Sequence, residues 1–197
     1  MIKDIVSASA ATGSGLGIAD TVVAVFECFN SGRTGQAPVS SSCRRPNPSL
    51  FQWPIAVNQI RLPCAGRLQP EHILKAFEEG YDAVCVIVCA EDNCHCLEGS
   101  KRGHRRVDYV RGLLDDIGVG RERLLFFTMP GSAREDMAAG LAPAAPAATD
   151  LSVQAATIVE QAMSAIAALP PSPFRKNRPA VEPEEKDTQA SEEEESD

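Results

Sequence analysis

The segment DAVCVIVC, residues 82–89, is the most informative about the fold of this chain of 197 residues. After its aspartate the stretch is continuously apolar and rich in Val, with no alternation between polar and apolar positions. A strand of this kind is buried on both faces, which is typical of a parallel sheet covered by helices on its two sides. The stretch therefore predicts a central strand in an α/β protein.

The segments around this strand alternate between helix-like and strand-like patterns. The preceding segment QPEHILKAFEEG, residues 69–80, has Pro70 at a favourable helix start and Gly80 at its end. Apolar residues at helical spacing predict a second helix over residues 99–117. Three further strands and a final helix are predicted at residues 21–28, 55–63, 122–129 and 150–169. This alternation predicts a small doubly wound, flavodoxin-like α/β fold with a mostly parallel sheet.

One α/β domain over residues 21–169 accounts for nearly all of the patterned sequence, and the length leaves room for one domain with tails. Residues 1–20 are small and polar, so we expect a flexible lead-in, whose glycines lack the preceding strand that a phosphate-binding loop requires. Residues 170–197 turn to Pro, Lys and Arg and then to Glu, a composition that predicts a disordered acidic tail.

The charge of the chain is concentrated near its C-terminal end. The formal net charge is −8, and residues 181–197 contain nine acidic residues and one lysine, which account for all of it. The remaining body is near neutral. The uniformly basic face of a nucleic-acid-binding protein is therefore not expected.

The composition indicates a cytoplasmic protein without a membrane span. The N-terminal residues have no signal-peptide pattern, and no apolar stretch reaches the roughly 18 residues that a membrane-spanning helix needs. Seven cysteines, an odd number, argue in this setting against a disulfide framework. Metal binding, redox chemistry and apolar packing are the remaining uses.

Four of the cysteines are predicted to meet at one edge of the sheet. Cys28 ends the first predicted strand and Cys64 follows the second. Cys89 ends the third, and Cys94 lies in the loop after it. Ligands of parallel α/β sheets collect at the carboxyl ends of the strands. Four thiolates there could hold a [2Fe–2S] cluster, a [4Fe–4S] cluster or a zinc ion, and the local C-x4-C-x-C spacing does not decide among them.

The remaining thiols and one histidine have more than one interpretation. Cys85 lies in mid-strand and is predicted to pack as a small apolar residue. Cys43 and Cys96 are spare thiols, either of which could replace a ligand. His95, between Cys94 and Cys96, could be a ligand, a donor to a sulfur or a bystander.

A basic segment follows the cysteine loop, with Lys101, Arg102, Arg105 and Arg106 at the start of the predicted helix. Near thiolates these cations and the helix N-terminus would favour the more negative state and so raise the reduction potential. The same charges could instead dock an acidic partner or simply face solvent.

A series of motifs follows in order along residues 61–124: RLPCAGR, KAFEEGYDAV, the cysteine loop VCAEDNCHC, the helix start GSKRGHRR and GVGRERL. This segment resembles the iron–sulfur delta subunit of methyl-viologen-reducing hydrogenase, with similarity over residues 22–124. The resemblance implies a small electron-transfer subunit with one [2Fe–2S] cluster. It also implies two kinds of partner: a donor or acceptor oxidoreductase, such as a hydrogenase, a formate dehydrogenase or another reductase, and a flavin-containing heterodisulfide-reductase-like subunit.

The resemblance further implies a ligand set. The matching positions are the cysteine that ends the first strand, the cysteine of the C-[SA]-G-R motif and two cysteines of the loop: Cys28, Cys64, Cys89 and Cys94. The chain departs from the family pattern at two places. The family commonly has Cys-Asn-Trp-Cys after the first strand, whereas this chain has Ser31 at the last of those positions, and Cys96 replaces the usual aromatic residue.

We interpret the chain as a non-catalytic electron-relay subunit of a larger oxidoreductase complex, since it shows no nucleophile beside a base and no paired carboxylates. One alternative is a non-redox scaffold or adapter subunit with no cluster or with a structural zinc. Another is a thiol–disulfide oxidoreductase that uses Cys94 and Cys96, although C-x-x-C is the usual redox pair.

Overall fold

Four parallel strands form one sheet in the computed structural model, which describes residues 21–32, 49–130 and 148–177. The strands are β1 (Val23–Cys28), β2 (Val57–Leu62), β3 (Ala83–Cys89) and β4 (Leu124–Met129). Their order is β2-β1-β3-β4, and each neighbouring pair is parallel. The predicted α/β fold with a parallel sheet is therefore confirmed.

Helices cover both faces of this sheet. They are α1 (Pro70–Glu78), α2 (Gly99–Asp116) and α3 (Ala148–Ala167). The first two pack against one face through an apolar core that includes Ile73, Phe77 and Leu114. Helix α3 packs against the other face through a second core that includes Leu151 and Ile166. None of the helices in the described part of the chain is long and apolar enough to cross a membrane.

The two central strands are apolar except for the buried Glu27 of β1, because both of their faces are covered. All residues of β1 and β3 are buried. Along β3, Val84 and Val86 belong to the core beneath α1 and α2, whereas Cys85 belongs to the core beneath α3. Each fully buried Val side chain contributes about 1.5–3 kcal/mol by leaving water. Cys85 packs as the predicted small apolar residue, and burial raises the pKa of its thiol.

The strand order creates a crevice at the carboxyl edge of the sheet. The chain passes from β1 to β2 on one side and then crosses β1 to reach β3 on the other side. Neighbouring strands whose connections diverge in this way form the topological switch point, where ligands of such folds bind. Both β1 and β3 end in a cysteine at this point.

The opposite edge of the sheet holds the last described segment. Asp82, just before β3, accepts hydrogen bonds from the backbone N–H of Ser172 (3.2 Å) and from Nε of Arg175 (2.9 Å). The buried Arg123 donates to the carbonyl oxygens of Asp82 (3.0 Å) and Pro170 (2.8 Å). Packing therefore continues past residue 169, beyond the predicted start of the disordered tail.

This difference has a physical reason. The prediction rested on the scarcity of apolar residues after residue 169, but residues 170–177 are held mainly by charged hydrogen bonds, with Phe174 partly buried against the core. The predicted lead-in, the remainder of the acidic tail and Cys43 lie outside the described residues.

Candidate metal centre

The thiols of Cys28, Cys89 and Cys94 pack together at the switch point. Cys28 and Cys89 end neighbouring strands, and their Sγ atoms are 3.7 Å apart. Cys94 follows a short 3-10 turn (Glu91–Asn93) and is buried with them. These three cysteines form a cluster separate from the two apolar cores. Three of the four cysteines expected at this edge thus lie side by side.

Cys64 approaches the same place from the loop after β2. It precedes the 3-10 turn Ala65–Arg67, and its thiol lies against Gly99, the first residue of α2. A Cβ atom at position 99 would overlap the Cys64 sulfur and would lie 3.5 Å from the Cys94 sulfur. The missing side chain of Gly99 thus lets Cys64 and Cys94 approach each other at the start of α2.

Backbone N–H groups of the surrounding loops lie near the sulfurs. The N–H of Gly66 donates to the Cys64 sulfur at 3.4 Å. The N–H groups of Asn30, Ser31 and Ala65 act to lower the pKa of Cys28, and that of His95 acts to lower the pKa of Cys89. Hydrogen bonds of this kind favour the charged thiolate and help to set the reduction potential of iron–sulfur clusters. The site therefore stabilises negative sulfur with main-chain donors, which no sequence motif had indicated.

The cysteines of the site differ in how readily they lose their protons. The hydrogen bond from Cys89, helped by the backbone donors, lowers the pKa of Cys28 to about 6, although burial opposes this change. The same hydrogen bond raises the pKa of Cys89, and burial adds to the increase. Burial raises the pKa of Cys64 to about 12. The Cys28 thiolate is thus available at neutral pH, whereas a metal would have to displace the protons of Cys64 and Cys89.

Two buried polar atoms near the thiols have no hydrogen-bond partner among the described residues. They are Nδ1 of His95, in the cysteine loop, and Oγ of Ser100, which follows Gly99 and is fully buried. A buried polar group without a partner costs about 1–3 kcal/mol, so native proteins seldom keep one without a reason. A bound iron–sulfur cluster, with sulfides that accept hydrogen bonds, fits these donors together with the thiols and the backbone N–H groups.

The thiols lie next to one another, but they do not surround a common point. Within residues 21–32, 49–130 and 148–177, no group of three or more His, Cys, Asp or Glu side chains is placed to hold a metal ion. The close approaches among these thiols are pairwise: Cys28 lies beside Cys89, and Cys64 approaches Cys94 across the space beside Gly99.

The two departures from the family pattern have different roles. Ser31 is not a thiol, and its hydroxyl donates to the carbonyl oxygen of Cys28 at 2.7 Å, so that it shapes the loop after β1. Cys96 is exposed, yet its thiol interacts with that of Cys64. Its Cβ lies 3.5 Å from the position that a Gly99 side chain would take. The structure therefore brings a fifth cysteine to the site.

The basic residues at the start of α2 also differ among themselves. Arg106 donates to the carbonyl oxygens of Gly66 (2.7 Å) and Leu68 (2.8 Å), and so fastens the loop that carries Cys64. The other three side chains of this group are exposed. A charge run alone could not distinguish the one structural arginine from the solvated side chains.

A doubly wound α/β sheet with buried thiols gathered at its switch point defines the chain as a small α/β protein with a candidate cysteine site at the carboxyl edge of its sheet. Residues 43–144 match the model of a family described as methyl-viologen-reducing hydrogenase, delta subunit, and the chain belongs to this family. The resemblance seen in the sequence motifs is therefore confirmed.

Relatives of this chain include hydrogenase subunits and a heterodisulfide reductase subunit. An iron–sulfur subunit of the vhu F420-non-reducing hydrogenase of Methanococcus maripaludis is 33% identical over 115 residues, which cover 58% of this chain and 81% of the relative. The protein of the same name from Methanocaldococcus jannaschii is 33% identical over 110 residues, covering 56% and 77%. One subunit of the ferredoxin:CoB-CoM heterodisulfide reductase of Methanosarcina mazei is 33% identical over 76 residues, covering 39% of this chain and 10% of the relative.

Proposed function

We propose that this protein is an electron-transfer subunit with one [2Fe–2S] cluster held by Cys28, Cys64, Cys89 and Cys94. The main support is that these four cysteines lie close together at the carboxyl edge of a parallel sheet. Main-chain donors around the sulfurs and the unpaired buried atoms nearby support it. The names of the relatives, which are iron–sulfur subunits of hydrogenases, point the same way.

When bound, such a cluster accepts and returns single electrons. The residues around the cluster would set its reduction potential. The N–H groups that bond to the sulfurs stabilise added negative charge and so raise the reduction potential. The loop that carries the exposed Cys96 brings the site close to the surface, where an electron partner can approach.

The proposed role is a relay within a larger oxidoreductase complex. On one side stands a donor or acceptor enzyme such as a hydrogenase, a formate dehydrogenase or another reductase. On the other side stands a flavin-containing, heterodisulfide-reductase-like subunit. The match to Methanosarcina mazei heterodisulfide reductase supports this second partner. In that relative, the segment similar to this chain is a small part of the heterodisulfide reductase subunit itself.

To test the proposal, the protein is purified without oxygen, its iron and acid-labile sulfide contents are determined, and its visible spectrum is recorded. We expect about two irons and two sulfides per chain, with a brown colour that bleaches when dithionite is added. Cys28→Ala should remove both the iron and the colour. A colourless protein without iron, or with zinc in its place, would reject the relay and favour the scaffold alternative.

A further inference from the structure

The loop between β3 and α2 presents two thiols to the Cys64 sulfur. A Cβ atom at Gly99 would overlap that sulfur, and the same point lies 3.5 Å from Sγ of Cys94 and 3.5 Å from Cβ of Cys96. Both loop cysteines therefore lie close to one ligand of the proposed cluster.

The backbone of this loop decides which of the two thiols faces inward. The N–H of Leu97 donates to the carbonyl oxygen of Cys94 at 2.9 Å, and the N–H of Glu98 donates to that of Cys96 at 2.7 Å. This tight turn buries Cys94 and leaves Cys96 exposed. Leu97 has φ of 62°, in the left-handed region that a residue with a branched side chain seldom adopts. The turn thus holds Cys94 inward and Cys96 outward with one residue in a strained conformation.

We propose that Cys96 is a second ligand of this loop, which completes the cluster with Cys28, Cys64 and Cys89 when Cys94 is not bound. The inference rests on the proposed function, because it needs a cluster at this edge of the sheet. The exchange requires movement only within the short loop between the end of β3 and the start of α2. No other element has to be rearranged, since Cys64 already lies beside both positions.

Alanine substitutions test this exchange, because a serine oxygen could itself bind iron. We expect Cys94→Ala to keep about two irons per chain, with shifted visible and EPR spectra because one ligand comes from a different position. Cys96→Ala should keep about two irons per chain, because Cys94 remains in place as the ligand. The double variant should lose the cluster. Cys85→Ala, which removes a thiol from the core beneath α3, is the matched control and should keep its iron.

Alkylation of the purified proteins, followed by mass spectrometry, identifies the thiol that takes over. Cys96 should react in the wild-type protein and become protected in iron-loaded Cys94→Ala. If His95 replaced Cys94 instead, Cys96 would remain reactive. Protection of Cys96 therefore excludes His95 as the replacing ligand. If circular dichroism shows that Cys94→Ala is unfolded, Cys94→Val refills the buried space and provides the same test.

The inference alone would be overturned by a folded Cys94 variant without iron beside an iron-loaded wild type, or by iron retained in the double variant. A Cys94 variant that keeps iron while Cys96 stays reactive would also overturn it. A wild-type protein without iron would overturn the proposed function together with the inference.

Discussion

At the start of α2, Gly99 leaves its side-chain space to the Cys64 sulfur. An alanine at this position is compatible with a helix, but its Cβ would have to push the sulfur away. Gly112, in the same helix, has no atom within 4 Å of the position that its Cβ would take. Alanine variants at the two positions can therefore be compared to separate a general effect on the helix from the need for space beside Cys64.

We expect Gly99→Ala to lose most of its iron while the helical signal in circular dichroism stays unchanged, because Cys64 is displaced. Gly112→Ala is the control and should keep its iron, with a free energy of unfolding equal to or up to about 1 kcal/mol above the wild type. Iron analysis and urea denaturation give both quantities. Full iron content in a folded Gly99→Ala protein would show that the ligand does not need this space.

The low pKa of Cys28 gives a second prediction at a single residue. In protein freed of metal, ultraviolet absorbance of the thiolate should reveal an ionisation at a pH of about 6. In Cys89→Ala this ionisation should move up toward the ordinary cysteine pKa of about 8.5, because the main stabilising hydrogen bond is lost. Cys85→Ala should leave it in place. An unchanged low pKa in Cys89→Ala would contradict the assigned cause.

Between elements, Arg106 connects α2 to the loop that carries Cys64, through two carbonyl oxygens of that loop. Hydrogen bonds with a charged partner contribute about 1.5–3 kcal/mol, so Arg106→Ala should lower the free energy of unfolding by about 1–3 kcal/mol in urea. Iron should also pass to a chelator faster, since the loop is less firmly held. Arg105→Ala, at an exposed neighbouring position, should change neither quantity. Equal release rates from the two variants would argue against this connection.

The strands and helices could be predicted because their signals are local. The continuous apolar run of β3 is a consequence of covered faces, and it needs no knowledge of distant residues. Helix α1 has Pro70 at its start and Gly80 just after its end, where the glycine has φ of 89°. The edge of the sheet at which Cys28 and Cys89 meet also follows from local pattern, once the strands are taken as parallel.

The finer features of the site could not be predicted, because they depend on contacts between distant residues. The N–H of Ala65 reaches the sulfur of Cys28 only after two loops have folded together. Arg106 looks like any other member of a basic run until its carbonyl partners are seen. The fit of Cys64 against Gly99 depends on a space that exists only in the folded protein. A glycine at the start of a helix does not by itself predict this contact.

Over the whole molecule, Asp82 joins the C-terminal segment to the edge of the sheet opposite the cysteines. Burial acts to raise its pKa, but hydrogen bonds from Arg175 and from the backbone N–H groups of Val22 and Ser172 outweigh burial, and the pKa is lowered. A lowered pKa in the folded state stabilises the protein at pH values above the ordinary carboxyl pKa. That stabilisation is lost as the pH falls through the lowered pKa.

Asp82→Asn should therefore lower the free energy of unfolding at neutral pH by about 1–3 kcal/mol. Its difference from the wild type should shrink as the pH falls through the folded-state pKa of Asp82. Because the residue lies at the far end of β3 from Cys89, the iron content should not change. Urea denaturation at a series of pH values, with iron analysis, checks both parts. A difference in stability that is the same at every pH would contradict the role of this carboxylate.

EPR spectroscopy of the dithionite-reduced protein, with the spins counted against iron in the same sample, tests the cluster and its ligands together. A [2Fe–2S] cluster on the four cysteines predicts about one unpaired electron for every two irons, and the signal should be absent from Cys28→Ala. A protein that contains no iron, or a spin count of about one for every four irons, would contradict the proposed cluster.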